Sequence, residues 1–191
     1  MSREIPPLSF RINTLDECVQ HNIPQPNPCP PITRRPLASL SELDEYSRSF
    51  LDVLLQHFPQ WRSAARIAEC DGVISLWLEI AAPSAAFGSL WISTEYGEVT
   101  VGVGSYHTHF ATYEPATDQD AFRQATEFIG DLISERLVLA LAMKGECYCC
   151  GWVQFPGSTI EAPASTLGVA DRVVLRSWNA SIDRELAVTG R

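Results

Sequence analysis

Two histidines stand two residues apart in Tyr106-His107-Thr108-His109-Phe110. Residues i and i+2 of a strand project to one side, so both imidazoles can serve a single metal ion. Asp120 follows eleven residues after His109, with Thr117 between them, and offers a carboxylate. A second set of metal-binding atoms lies in Cys147-Tyr148-Cys149-Cys150. Of these, Cys147 and Cys150 have the CxxC spacing. In a strand, however, Cys147 and Cys149 face one side and Cys150 the other, so one ion does not easily gather all three. Buried cysteines serving as small apolar residues are the simpler account. A redox pair of Cys147 and Cys150 would need a helix start after a strand, which this stretch does not offer.

The two histidines and Asp120 resemble the motif of the JAMM metalloproteases, in which two histidines and an aspartate hold zinc and an upstream glutamate activates water. The proline usual after the second histidine is Phe110 here, and the serine position is Thr117. Glu69 and Glu79 are too close in sequence to be the upstream glutamate. The resemblance implies a zinc metallohydrolase using His107, His109 and Asp120, and it stands as the alternative expectation. Asp118 and Asp120 also have a structural role, because acidic residues in the first turn of a helix oppose its dipole favourably. No GxSxG is present, and Gly102-Val103-Gly104 is too short for a nucleotide-binding loop. The leading expectation is a protein with no catalytic residues, no metal and no cofactor.

Charge is the more informative signal. The 191 residues carry a net charge of −9, with one lysine, Lys144, among 14 basic residues. Between Arg66 and Arg123 no lysine or arginine occurs, whereas Glu69, Asp71, Glu79, Glu95, Glu98, Glu114, Asp118 and Asp120 do. A surface of one sign steers a partner of the opposite sign and speeds association. It also argues against binding nucleic acid or an anionic membrane, both of which need a basic surface. With 46% hydrophobic residues the chain can build a core, and disorder throughout is excluded. No run of about 18 apolar residues would span a bilayer, and the first residues lack a secretory pattern. Six cysteines in such a chain read as free thiols, so a cytoplasmic protein is expected.

These residues must be positioned by elements the sequence also marks. Pro24, Pro26, Pro28, Pro30 and Pro31 belong to a proline-rich arm over residues 1–38, too poor in backbone donors for a helix or a central strand. Residues 39–191 form a single domain. Ser39 with Glu42, or Ser41 with Asp44, caps a helix over 40–58, and Pro59 ends it. Strands are expected at 62–69, 73–81, 89–94 and 98–106, with turns at Cys70-Asp71-Gly72 and Tyr96-Gly97. A second helix over 118–136 begins at Thr117. Strands at 137–143, 148–155 and 173–178 follow, and then a short helical tail. The five tryptophans read as core. The expected fold class is α+β, a mostly antiparallel sheet with two main helices packed on one face.

Residues 88–110, GSLWISTEYGEVTVGVGSYHTHF, resemble a stretch of small immunity proteins from bacterial polymorphic toxin systems. The shared pattern is a strand LWIST, a turn, a strand EVTVG and a histidine-containing strand end. A helix with Glu127-Phe128-Ile129 and the strand over 137–143 continue it, so the likeness covers about residues 73–155. It implies a protein without enzymatic activity that binds one cognate toxin in the cytosol and blocks its active site. Many such toxins are nucleases with basic clefts. Charge and expected exposure select Glu95, Glu98, Glu114, Asp118 and Asp120 as the binding surface, with Tyr96, Tyr106 and Tyr113 as aromatic anchors.

Overall fold

In the computed structural model, residues 33–70, 72–111, 117–159 and 169–188 are described. Apolar residues at alternate positions of consecutive strands give one sheet a buried face: Leu76 and Leu78, Leu90 and Ile92, then Val99 and Val101 are all fully buried. That sheet has six strands in the order of the chain: β1 (Thr33–Pro36), β2 (Arg66–Cys70), β3 (Val73–Ala81), β4 (Ser89–Glu95), β5 (Glu98–Val103) and β6 (Tyr106–Ala111). Every pairing in it is antiparallel. Two helices, α1 (Glu45–His57) and α2 (Asp118–Ile133), pack on the buried face through Phe50, Leu54, Phe122 and Ile129. Phe110 of β6 meets Phe128 of α2, with ring centroids 5.4 Å apart.

A second antiparallel sheet has the order β10-β9-β7-β8, from β7 (Val138–Lys144), β8 (Cys147–Gln154), β9 (Arg172–Arg176) and β10 (Arg184–Ala187). Leu139, Leu141 and Val153 turn toward the main core, while Ala140, Val173 and Leu175 form a smaller cluster with Trp152 and Leu186 on the other side. The class is therefore α+β, dominated by antiparallel sheet.

Several boundaries differ from the sequence-based expectation. The strand expected over 98–106 is two strands, because Gly104 adopts φ +56 and reverses the chain between β5 and β6. The helix expected over 40–58 is a 3-10 turn, Leu40–Glu42, followed by α1, since Asp44 accepts from the Ser47 amide at 2.7 Å and caps a new start. Residues Pro59–Ala64 coil as a 3-10 helix, which delays β2 to Arg66. The expected helical tail is β10, paired with β9. Thr33–Pro36, within the expected arm, pairs with β2 as an edge strand, a place where a terminal proline does not interrupt the ladder. The remainder of the arm, residues 1–32, lies outside the described residues.

A buried hydroxyl pair fixes α1 to the sheet. Ser47 and Thr94 approach to 2.6 Å, and Thr94 Oγ1 also accepts from the Leu76 amide at 3.0 Å. Thr94→Val leaves that amide without its acceptor in a dry site, and should lower stability by about 1–3 kcal/mol in urea unfolding. Ser47→Ala, which leaves the amide satisfied, should cost less.

Candidate functional site: an acidic end and an outward aromatic row

The connection between β4 and β5 is a two-residue turn in which Tyr96 has φ 55 and Gly97 has φ 73. Two left-handed residues match the twist of a hairpin, and asparagine followed by glycine is the usual choice. Tyrosine fits the first position poorly, because its Cβ crowds the backbone at a cost of about 1–2 kcal/mol. Its side chain is 86% exposed, so no packing repays the strain. Directly below it, Glu95 and Glu98 are cross-strand partners, a like-charge pairing that disfavours the hairpin. Glu98 is steadied by His109, whose Nδ1 lies 2.7 Å from Glu98 Oε1.

Both helices begin at this end of the sheet. Tyr46, in the first turn of α1, packs edge-on against Phe122 at 4.9 Å, and its hydroxyl is buried without a hydrogen-bond partner. Burial, and then the negative charges of Asp118, Glu98 and Asp44, push its pKa well above the usual tyrosine range. Three carboxylates from different elements thus converge electrostatically on one ring. Of the residues expected to form the binding surface, Glu95, Tyr96, Glu98 and Asp118 come together here. Asp44 belongs with them and was missed, because its capping role accounted for it.

Asp120 has a local task. Its Oδ2 accepts from the Thr117 amide at 3.0 Å and the Thr117 hydroxyl at 2.8 Å, and Arg123 lies 3.4 Å from its Oδ1. The Thr117 bonds, helped by Arg123, hold its carboxyl below the usual carboxylate range. Tyr106 corrects the expectation of an exposed anchor: it is 7% exposed and stands close to Gly151 of the second sheet. With the turn at Gly104, Tyr106 pairs with Val103 and shares its inward parity. Tyr113 and Glu114 lie outside the described residues.

The histidines stand on the opposite, outward face. His107 and His109 meet edge to face with centroids 5.0 Å apart. Burial, then the neighbouring His109, lower the pKa of His107. Thr100 Oγ1 lies 3.0 Å from the same Nδ1 of His109 that Glu98 approaches. A hydroxyl–imidazole–carboxylate relay needs its acid and its nucleophile on opposite nitrogens, so these three do not compose one. Asp120 is not gathered with the histidines, and among the described residues no three of His, Cys, Asp and Glu lie so as to hold a metal. Cys147 is exposed and Cys150 buried, while the pairing of β7 with β8 is irregular where Cys149 intervenes.

Across the same outward face runs a row of flat side chains. The Arg34 guanidinium lies 3.8 Å from the centroid of Trp77. Trp77 and Trp91 are stacked at 5.4 Å with planes 7° apart, and Trp91 is followed by His107 at 6.1 Å. Gly102 makes room for Trp91, since a Cβ there would lie 2.2 Å from the indole. Trp77 and Trp91, expected as core, are half-buried on the outer side. The signal was present: Trp77 sits between Leu76 and Leu78, so a strand with those two inside must carry it outside.

No protein-family model, curated protein or solved structure matches the chain. Among the described residues no helix is long and apolar enough to cross a membrane.

Tyr96→Asn relieves the left-handed strain and should raise stability by about 1 kcal/mol. Urea unfolding of the two proteins side by side measures it; a loss of stability would mean that Tyr96 makes contacts the fold needs.

Proposed function

We propose that the chain is a non-catalytic immunity protein that binds one cognate bacterial toxin in the cytoplasm and blocks it through the acidic end of the sheet. The observation that carries this is the Glu95-Tyr96-Gly97-Glu98 tip, where an exposed tyrosine in a costly conformation stands over two paired carboxylates. Neither feature helps the chain to fold. Both suit an interface: a rigid aromatic ring is a strong anchor, and adjacent carboxylates steer a basic partner toward it. Asp44 and Asp118 extend the same field.

The partner class that fits is a protein with a basic cleft, such as a nuclease toxin, in which these carboxylates would take the place of substrate phosphates. Nucleic acid and anionic membranes are repelled by the same surface.

With the product of the adjacent gene as toxin, Glu95→Lys together with Asp118→Lys should slow association by roughly tenfold or more at low salt, and by less at high salt. Tyr96→Asn should shorten the lifetime of the complex while the free protein gains stability. An association rate indifferent to both charge reversal and salt contradicts the assignment.

A further inference from the structure

Where α1 ends, a groove of about 550 Å³ lies between its last turn and α2, and the function proposed above does not use it. That volume falls within the range of small-molecule sites, about 300–1,000 Å³. Val53, Phe58 and Ile133 supply its apolar surface, and Gly130 of α2 lines it as well. Inside a helix only proline is less favourable than glycine. Packing does not require one here: a Cβ at Gly130 would meet nothing within 4 Å outside its own stretch of helix. What the missing side chain does is keep the groove open.

The rim can be read by its hydrogen bonds. Thr126 donates its hydroxyl proton to the Phe122 carbonyl at 2.7 Å, and Ser134 donates to the Gly130 carbonyl at 2.6 Å. Two guanidinium groups remain as strong donors, each with five N–H bonds. Arg123 lies between two carboxylates, Asp120 at 3.4 Å and Glu127 at 3.5 Å. Arg136 holds a single oxygen of Asp131 through Nε and Nη2, so its Nη1 has no partner among the described residues. The groove is thus lined by two arginines and His57 against one carboxylate, Glu127, in a chain of net charge −9. Free guanidinium donors call for an acceptor, and a carboxylate matches them in shape and charge. From Arg123 to Ile133 the helix rises about 15 Å, which gives an apolar body room beside it. We infer that the groove binds a small amphipathic carboxylate, its apolar body on Val53, Phe58 and Ile133 over Gly130, and its carboxylate on Arg136.

The test titrates octanoate into the full-length chain and follows the backbone amide signals by NMR, with 1-octanol and octylammonium as neutral and positive probes of matched length. Octanoate should shift His57, Gly130 and Ile133 saturably, and bind roughly tenfold or more tightly than either of the other two. Arg136→Gln should weaken it by roughly tenfold, the worth of one charge-assisted hydrogen bond, and Arg123→Gln by less than about threefold. Gly130→Met fills the groove while adding a better helix former, so the shifts should vanish and the Tm should be no lower. If Gly130→Met unfolds the protein, the Arg136→Gln titration decides. Octanol bound as tightly as octanoate, octylammonium bound more tightly, or affinity that depends on Arg123 and not on Arg136 overturns the inference. Shifts confined to residues outside α1 and α2, or none at all, overturn it too.

Discussion

Pleating sends Leu76 and Leu78 to one side of β3 and Trp77 to the other, and the same parity passes through β4, β5 and β6 by way of the antiparallel register. The inner set, from Leu76 to Phe110, receives both helices. The outer set receives neither, and it holds Trp77, Trp91, Thr100, His107 and His109. A slip of one residue would turn Trp77 inward in β3, Trp91 in β4 and the imidazoles in β6, and would expose the valines of β5, so the core specifies the outer face as strictly as it specifies itself. Gly102 shows how close the fit is, since a Cβ there would collide with Trp91.

The acidic end is built at little cost to folding in one part and at a real cost in another. Asp44, Asp118 and Asp120 stand at helix starts, where exposed amides and the helix dipole favour negative charge. Glu95, Tyr96 and Glu98 have no such compensation in the turn itself, apart from the contact of Glu98 with His109. That contact also joins the two regions, since Glu98 faces the acidic end through its charge and the histidine row through its hydrogen bond. Strain and like-charge pairing concentrated at one exposed tip, on a scaffold otherwise well capped and well packed, is the pattern expected where a binding surface rather than stability has set the residues.

Much of this was legible from residue order. Alternation located β3, β4 and the start of β5, and the Thr117 and Asp120 pair located the start of α2. What escaped had physical reasons. Gly104 in a run of valines and glycines does not announce a reversal, and missing it carried Tyr106 to the wrong side of the sheet. A strand of four residues ending in Pro36 has no alternation to read, and only its partner β2 makes it a strand. The tryptophans read as core because most of them sit in strands, although the parity of Trp77 between two buried leucines was already informative. Asp44 contributes to the acidic end through the fold alone, since residue 44 approaches residues 98 and 118 only when α1, β5 and α2 meet around Tyr46.

The central claim is that the acidic end exists to hold and silence a protein. Its most direct test is to express the product of the adjacent gene under inducible control, with and without this chain, and to purify whatever the chain retains. The account predicts that growth is arrested by the partner alone, restored when the chain is present, and accompanied by a stable one-to-one complex. Toxicity that the chain fails to relieve, or a harmless product that forms no complex with it, would contradict the account.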